Sequence, residues 1–137
     1  METLELRIDT GGTLVTDVTG DVEAFCATRT ESLGDGLLHA FLPHATAGLA
    51  LLETGAGSEE DLVGAIDALL PPDDRYRHRH GSTGHGRDHV LPAFVSPSLV
   101  VPVLGGRIQL GTWQRIVIVD SNVDNRTRRL RLSYLAG

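Results

Sequence analysis

A chain of 137 residues with 41% hydrophobic and 22% charged residues has the size and composition of one soluble globular domain, residues 1–137. No apolar run approaches the roughly 20 residues needed to cross a bilayer. The acidic start Met1-Glu2-Thr3-Leu4-Glu5 carries no secretory signature, and the single Cys26 rules out an internal disulfide. The expected location is therefore the cytoplasm. The net charge is −6, all twelve basic residues are Arg, and Lys is absent, which excludes Schiff-base chemistry and a Walker-type phosphate lysine. With only 4% aromatic residues in an acidic protein, nucleic acid is not an expected partner. Residues 1–74 hold two Arg and fifteen acids, whereas residues 75–137 hold ten Arg and three acids. Such halves either attract each other within the fold or across a subunit interface, or else build an Arg-rich pocket for an anion.

In chain order, Leu4, Leu6 and Ile8 alternate with polar residues and predict a first strand. The turn Asp9-Thr10-Gly11-Gly12 leads into a second strand, Thr13–Val18, closing a hairpin. Thr19 or Asp21 caps a helix to about Ser32, with Val22, Phe25, Cys26 and Arg29 on one face. Leu37–Leu42 and Gly48–Glu53 read as strands on either side of Pro43-His44-Ala45-Thr46. Ser58-x-x-Asp61 resembles a capping box and opens a helix bearing Leu62, Ile66, Leu69 and Leu70, which Pro71-Pro72 ends. Residues 73–88 are almost devoid of apolar side chains and read as a long, functional or partly disordered loop. A short, helix-like Val90–Val95 follows. Next come a hairpin of Leu99–Val103 and Arg107–Leu110 around Gly105-Gly106, a buried strand Trp113–Asp120, and a half-buried strand Arg128–Tyr134. The fold class is α+β: mainly antiparallel β-sheets folded into a two-layer sandwich with two or three helices on one side.

Histidine carries the chemical signal. His78, His80, His85 and His89 crowd into twelve residues, with His39 and His44 upstream. His78-x-His80 places both rings on one side of an extended segment, and His85-x-x-x-His89 does so on a helix, although Gly84 and Gly86 argue against continuous helix there. The cluster reads either as metal ligands or as a solvated Arg/His-rich loop. His44 reads as a site residue or as a satisfied turn histidine, and Glu53 as a rim charge, a ligand or a base. Trp113 reads as core and Cys26 as core. Asp120 to Arg129 forms a polar turn feeding an Arg cluster, suited to phosphate or to protecting a sheet edge.

The order of short motifs resembles the YjbQ-like family, described as secondary thiamine-phosphate synthases, over nearly the whole chain. The family's His-Thr-Thr-Ala is similar to His44-Ala45-Thr46-Ala47, its Asn-Glu to Leu52-Glu53, and its Tyr-x-His to Tyr76-Arg77-His78. Its Ala-His-Leu-Lys-Ala falls on Asp88-His89-Val90-Leu91-Pro92, and its Gly-Pro-Ser…Ile-Pro-Val on Ser96-Pro97-Ser98 through Val103. Gly106-Arg107-Ile108-Gln109-Leu110-Gly111-Thr112-Trp113-Gln114 is the most specific match, and Glu-x-Asp-Gly-Pro-Arg falls on Asp120 through Arg126. The chain departs from the pattern at Leu52, His85, Leu91 and Asp120.

The resemblance implies a homotrimer and a pocket lined by His and a carboxylate where a zinc-like ion sits, magnesium being the alternative. Carried over residue by residue, the metal set is His44, His78 and His89, with Glu53 and Gln114 as catalytic residues. Arg126 and Arg128 bind phosphate, and His85, Thr46 and Asp120 are further members of the site. His80 stays a solvated loop residue. The implied activity joins a pyrimidine methyl pyrophosphate to a thiazole phosphate, weakly or as a secondary reaction. The alternatives are another metal-dependent hydrolase of a small phosphate or amide, or a non-catalytic trimer that binds a metal or an anion.

Overall fold

A computed structural model describes residues 1–137. Eight strands are present: β1 (Glu2–Asp9), β2 (Val15–Asp17), β3 (Gly36–Phe41), β4 (Ala47–Leu52), β5 (Ser98–Leu104), β6 (Arg107–Ile108), β7 (Arg115–Asp120) and β8 (Thr127–Ala136). The helices are α1 (Thr19–Leu33), α2 (Ser58–Leu69) and the single turn α3 (His85–Asp88), followed by a 3₁₀ turn at Leu91–Ala93. Every strand pairing is antiparallel. A large sheet runs in the order β1-β8-β3-β5-β6 and a small one in the order β2-β7-β4. No helix is long and apolar enough to cross a membrane.

Alternation along the central strands builds the main core. Leu38 and Ala40 of β3, Val101 and Val103 of β5, and Leu130, Leu132 and Tyr134 of β8 all point inward. They meet Val22, Phe25 and Cys26 of α1, and Leu49, Ile116 and Ile118 of the small sheet. Val117 and Val119 face the other way, onto Ile66 of α2, Leu70 just after it, and Leu91. β7 is thus covered on both faces, which is why Ile116-Val117-Ile118-Val119 is an unbroken apolar run. Burial also pushes the Cys26 thiol up to about 11, with Glu23 adding to the effect, so Cys26 is an inert core residue.

The two charge halves attract each other inside the fold. Arg129 and Arg131 reach Glu5, Arg115 reaches Asp17, and Arg87 reaches Asp67.

Several local expectations change. β1 and β2 do not form a hairpin: β1 pairs with β8 and β2 with β7, so the turn between them carries the chain from one sheet to the other. Thr10 fixes that crossing, its N–H donating to the Arg126 carbonyl at 2.8 Å and its hydroxyl reaching Asp120 at 3.2 Å. α2 has no Ser58 capping box; Gly57 is the N-cap, and the Glu59 carboxylate accepts from the Gly55 N–H instead. Trp113 is not core but 72% exposed, because residues 109–114 form a surface loop in which Gln114 Oε1 accepts from Gly111 N–H.

One buried ion pair joins the two sheets next to the histidine loop. Arg128 of β8 donates to Asp120 of β7 through Nε at 2.6 Å and a terminal nitrogen at 2.8 Å, and both side chains are almost fully buried. Asp120 also accepts from the Thr10 hydroxyl and the Asn122 N–H. Removing one partner strands a buried charge, so Asp120→Ala and Arg128→Ala should each cost about 3–5 kcal/mol in urea unfolding. The double variant Asp120→Leu/Arg128→Met should recover a large part of that loss. A single variant with wild-type stability would contradict this reading.

Candidate metal centre

Pro71-Pro72 ends α2, and the segment after it has almost no apolar residues with which to fold. It is held instead by polar contacts. The Tyr76 hydroxyl donates to the Pro71 carbonyl at 3.0 Å, the Gly84 N–H donates to Asp74 at 3.1 Å, and the Ser82 N–H and hydroxyl both reach Asp124 at 3.1 Å. Gly86 lets this segment lie directly on α3. A Cβ at Gly86 would sit 2.5 Å from the Tyr76 Cβ and 2.7 Å from the His78 carbonyl oxygen.

Two sequence patterns then converge. His78 and His80, alternating along the polar segment, have ring centroids 4.1 Å apart. His85 and His89 lie four residues apart across α3, with their Nε2 atoms 3.0 Å from each other. One ring nitrogen from each of His78, His80, His85 and His89 falls within 4.8 Å of the others. Ligand atoms of a tetrahedral zinc site stand roughly 3.3 Å apart, so this donor set fits such an ion in number, type and scale. Of the two glycines that argued against helix in the sequence, Gly84 caps a single helical turn and Gly86 lies within it, and that turn suffices to bring the pair together.

The surroundings tune the imidazoles. His85 is buried and its Nδ1 lies 2.9 Å from the Asp124 carboxylate. Asp88, also buried, accepts from the Ser121 hydroxyl at 2.5 Å and from the Asn122 amide at 3.2 Å. Burial pushes the Asp88 carboxyl above its ordinary value. Burial, followed by the neighbouring rings of His78, His85 and His80, holds His89 below the ordinary histidine value. That keeps its lone pair available to a cation. The Ser82 N–H, together with the Ser82 hydroxyl and His85, holds Asp124 below the usual carboxylate range and therefore ionised. A cavity of about 230 Å³ opens beside the cluster, lined by His78, His80 and His85 with Asp74, Arg79 and Ser82, and by no hydrophobic side chain.

The fold brings together His78, His89 and the supplementary His85, and it adds His80, which the sequence reading left in solvent. His44 is elsewhere: its Nε2 accepts from the Arg129 N–H at 2.8 Å, as a carbonyl of a neighbouring strand would. Glu53, exposed, follows β4, and the Gln114 side chain closes its own turn. Arg128 is committed to Asp120 rather than open to phosphate, while Arg126 is exposed and Thr46 buried. Asp88, Asn122 and Asp124 were not singled out in sequence. The one available signal for Asn122 and Asp124 was their position in the polar turn after β7, which the fold lays against the histidine loop, and for Asp88 its place beside His89.

Residues 3–137 match the UPF0047 protein YjbQ-like family. The chain belongs to this family. It is 57% identical over its full length to the full-length UPF0047 protein Rv2556c of Mycobacterium tuberculosis. It is 32% identical to a UPF0047 protein of Archaeoglobus fulgidus, the match covering 96% of this chain and all of the relative. In three dimensions it resembles the crystal structure of hypothetical protein APE1520 from Aeropyrum pernix, with a TM-score of 0.88 and 35% identity over the full length of both chains.

The neutral state of His44 has a consequence for pH. Burial, then Arg128 and Arg129, lowers its value in the fold below 6.5. As pH falls, the unfolded chain therefore binds this proton first. The stability that His44 contributes is present above 6.5 and is lost as pH falls through 6.5 toward the depressed folded value. The thermal midpoint of wild type should drop between pH 7.5 and 5.5. His44→Gln, which can still accept from Arg129, should show a shallower drop; Asp88, whose raised carboxyl acts with the opposite sign, is common to both proteins. Equal slopes would refute the assignment.

Proposed function

We propose that this protein binds a zinc-like divalent cation through His78, His80, His85 and His89 and, with a fifth coordination position open to it, uses the ion on a small, polar phosphate or amide substrate. The single observation that supports this reading is the convergence of four imidazole nitrogens within 4.8 Å beside an open polar cavity. Imidazole donors favour zinc-like ions over magnesium, which prefers oxygen ligands. Bound there, such an ion supplies Lewis acidity and neutralises developing charge.

The chain's own residues do the rest. Arg79, on the cavity wall, gives its Nε–H to the Tyr76 carbonyl at 3.1 Å and leaves its terminal nitrogens for an anionic group. Asp74 accepts from Gly84 with one carboxylate oxygen and has the other available to take a proton. Support for the thiamine-phosphate reaction comes from the motif likeness. The cavity adds none, since it has no apolar side chain on which two aromatic rings could rest.

The expected homotrimer draws support from the outer face of the large sheet. Leu37, which pairs with both Pro102 and Leu135, is 44% exposed, and Val100 and Leu104 on the same face are 56% and 50% exposed. An adjacent set of apolar side chains facing water is the usual mark of an interaction surface.

Two measurements test these readings. Calorimetric titration of metal-free protein should give one Zn(II) or Co(II) ion per chain, with Mg(II) binding far more weakly. His85→Ala and His89→Ala should lose that affinity and the metal-stimulated hydrolysis of simple phosphate esters, while His44→Ala should keep the affinity. Absence of Zn(II) binding by wild type would end the proposal. For assembly, light scattering should give three times the 14.7 kDa chain mass, and Leu37→Glu/Val100→Glu should reduce it to one chain.

A further inference from the structure

We infer that Asp124 is the positioning carboxylate of the imidazole centre: it holds the Nδ1–H of His85, so that His85 presents Nε2 to the cation. The inference takes the metal-binding reading above as its frame, but its geometry stands on the protein alone.

Three groups lie near the Nδ1 of His85, and the hydrogen-bond network assigns their roles. The Asn122 amide is oriented by its oxygen, which accepts from the N–H groups of both Asp124 and Asn125 at 2.8 Å. Its NH₂ therefore points toward Asp88, 3.2 Å away. An NH₂ group cannot accept a proton from Nδ1, even though it lies 3.2 Å from that atom. The Asp88 carboxylate is 3.8 Å from Nδ1, too far for a hydrogen bond. Asp124, at 2.9 Å, is the acceptor, so Nδ1 carries the proton and Nε2 carries the lone pair. That Nε2 is the atom 3.0 Å from the Nε2 of His89.

The arrangement is built for close approach. Gly81 has a φ of +76°, and a Cβ there would lie 2.6 Å from the Asp124 carboxylate and 3.1 Å from the His85 ring. Any side chain at Gly81 would wedge between the carboxylate and the loop. The same carboxylate accepts from the Ser82 N–H and hydroxyl, so one group clamps the segment carrying His78 and His80 as well as the ring of His85. A carboxylate behind a ligating histidine fixes its tautomer and raises its basicity, and losing such a partner typically costs about 10- to 100-fold in metal affinity.

The test compares wild type with Asp124→Asn, Asp124→Ala and Ser82→Ala by Co(II) titration, and reads the His85 tautomer by ¹⁵N NMR of metal-free protein. Asp124→Asn keeps the shape and an acceptor oxygen but loses the charge. It should weaken Co(II) binding about tenfold, and Asp124→Ala up to about 100-fold. Ser82→Ala, which removes one hydroxyl of the clamp but leaves the Ser82 N–H and His85 on Asp124, should weaken Co(II) binding less than Asp124→Ala and leave the His85 tautomer unchanged, a result that a purely structural clamp would not give. In wild type, neutral His85 should be the Nδ1–H tautomer, and Asp124→Ala should shift it toward Nε2–H. Wild-type His85 as the Nε2–H tautomer, or Asp124→Ala binding Co(II) like wild type, overturns the inference. Should wild type bind no metal, the metal reading falls while the tautomer still decides the role of Asp124.

Discussion

The buried pair of Arg128 and Asp120 is the constraint on which the rest of the structure depends. β7 and β8 belong to different sheets, and apolar packing alone gives those sheets little directional information about each other. A bidentate guanidinium–carboxylate contact does, because its two parallel hydrogen bonds hold only over a narrow range of angles. Asp120 accepts two further hydrogen bonds, from Thr10 and from Asn122. The end of β1, the end of β7 and the start of β8 are thereby tied at one point. The turn between β7 and β8, which carries Asn122 and Asp124, leaves from that same point. The ion pair makes no hydrogen bond to an imidazole, yet it sets where the carboxylate behind His85 is anchored.

This anchoring explains how a segment without hydrophobic content can hold a defined site. Residues 73–84 contribute nothing to either apolar cluster. Their order comes from below, where Arg87 joins α3 to Asp67 and the Leu70 carbonyl of α2, and from the side, where Asp124 takes Ser82. Polar contacts of this kind are directional but individually weak once water competes for them. The histidine loop is therefore placed accurately and held lightly, which would suit the proposed admission of an ion.

Much of the framework was legible in the sequence because its signals are local. The double-sided apolar run of β7, the alternation of β8, the Gly105-Gly106 hairpin and the Pro-ended helix α2 need only neighbouring residues to be recognised. The false β1–β2 hairpin arose from the same local logic: the turn residues are right, but the strands pair with distant partners. In the site, the His85-x-x-x-His89 spacing was visible, whereas the helical turn that realises it depends on Tyr76 and His78 packing against Gly86. His80 was missed because an exposed loop histidine looks the same in sequence whether it faces water or three other rings. Trp113 misled for the opposite reason. Its size argues for burial on average, but the surface loop that carries it offers no core to enter.

Four imidazoles packed this closely pose an electrostatic problem in the absence of a cation. Ring centroids lie between 4.1 and 6.0 Å apart, and at His89 the rings of His78, His85 and His80 add to burial in depressing its protonation. The neutral cluster then has more lone pairs than it has donors within the group: the proton on the Nδ1 of His85 points out, to Asp124, not in. A divalent ion, as proposed for this cluster, would accept the inward lone pairs. In the proposed metal-binding reading, the affinity for the ion would be fixed by how tightly α3 and the His78–His80 segment are pressed together. The two carboxylates on the outward side, Asp88 and Asp124, supply compensating charge where it does not compete for the inward positions.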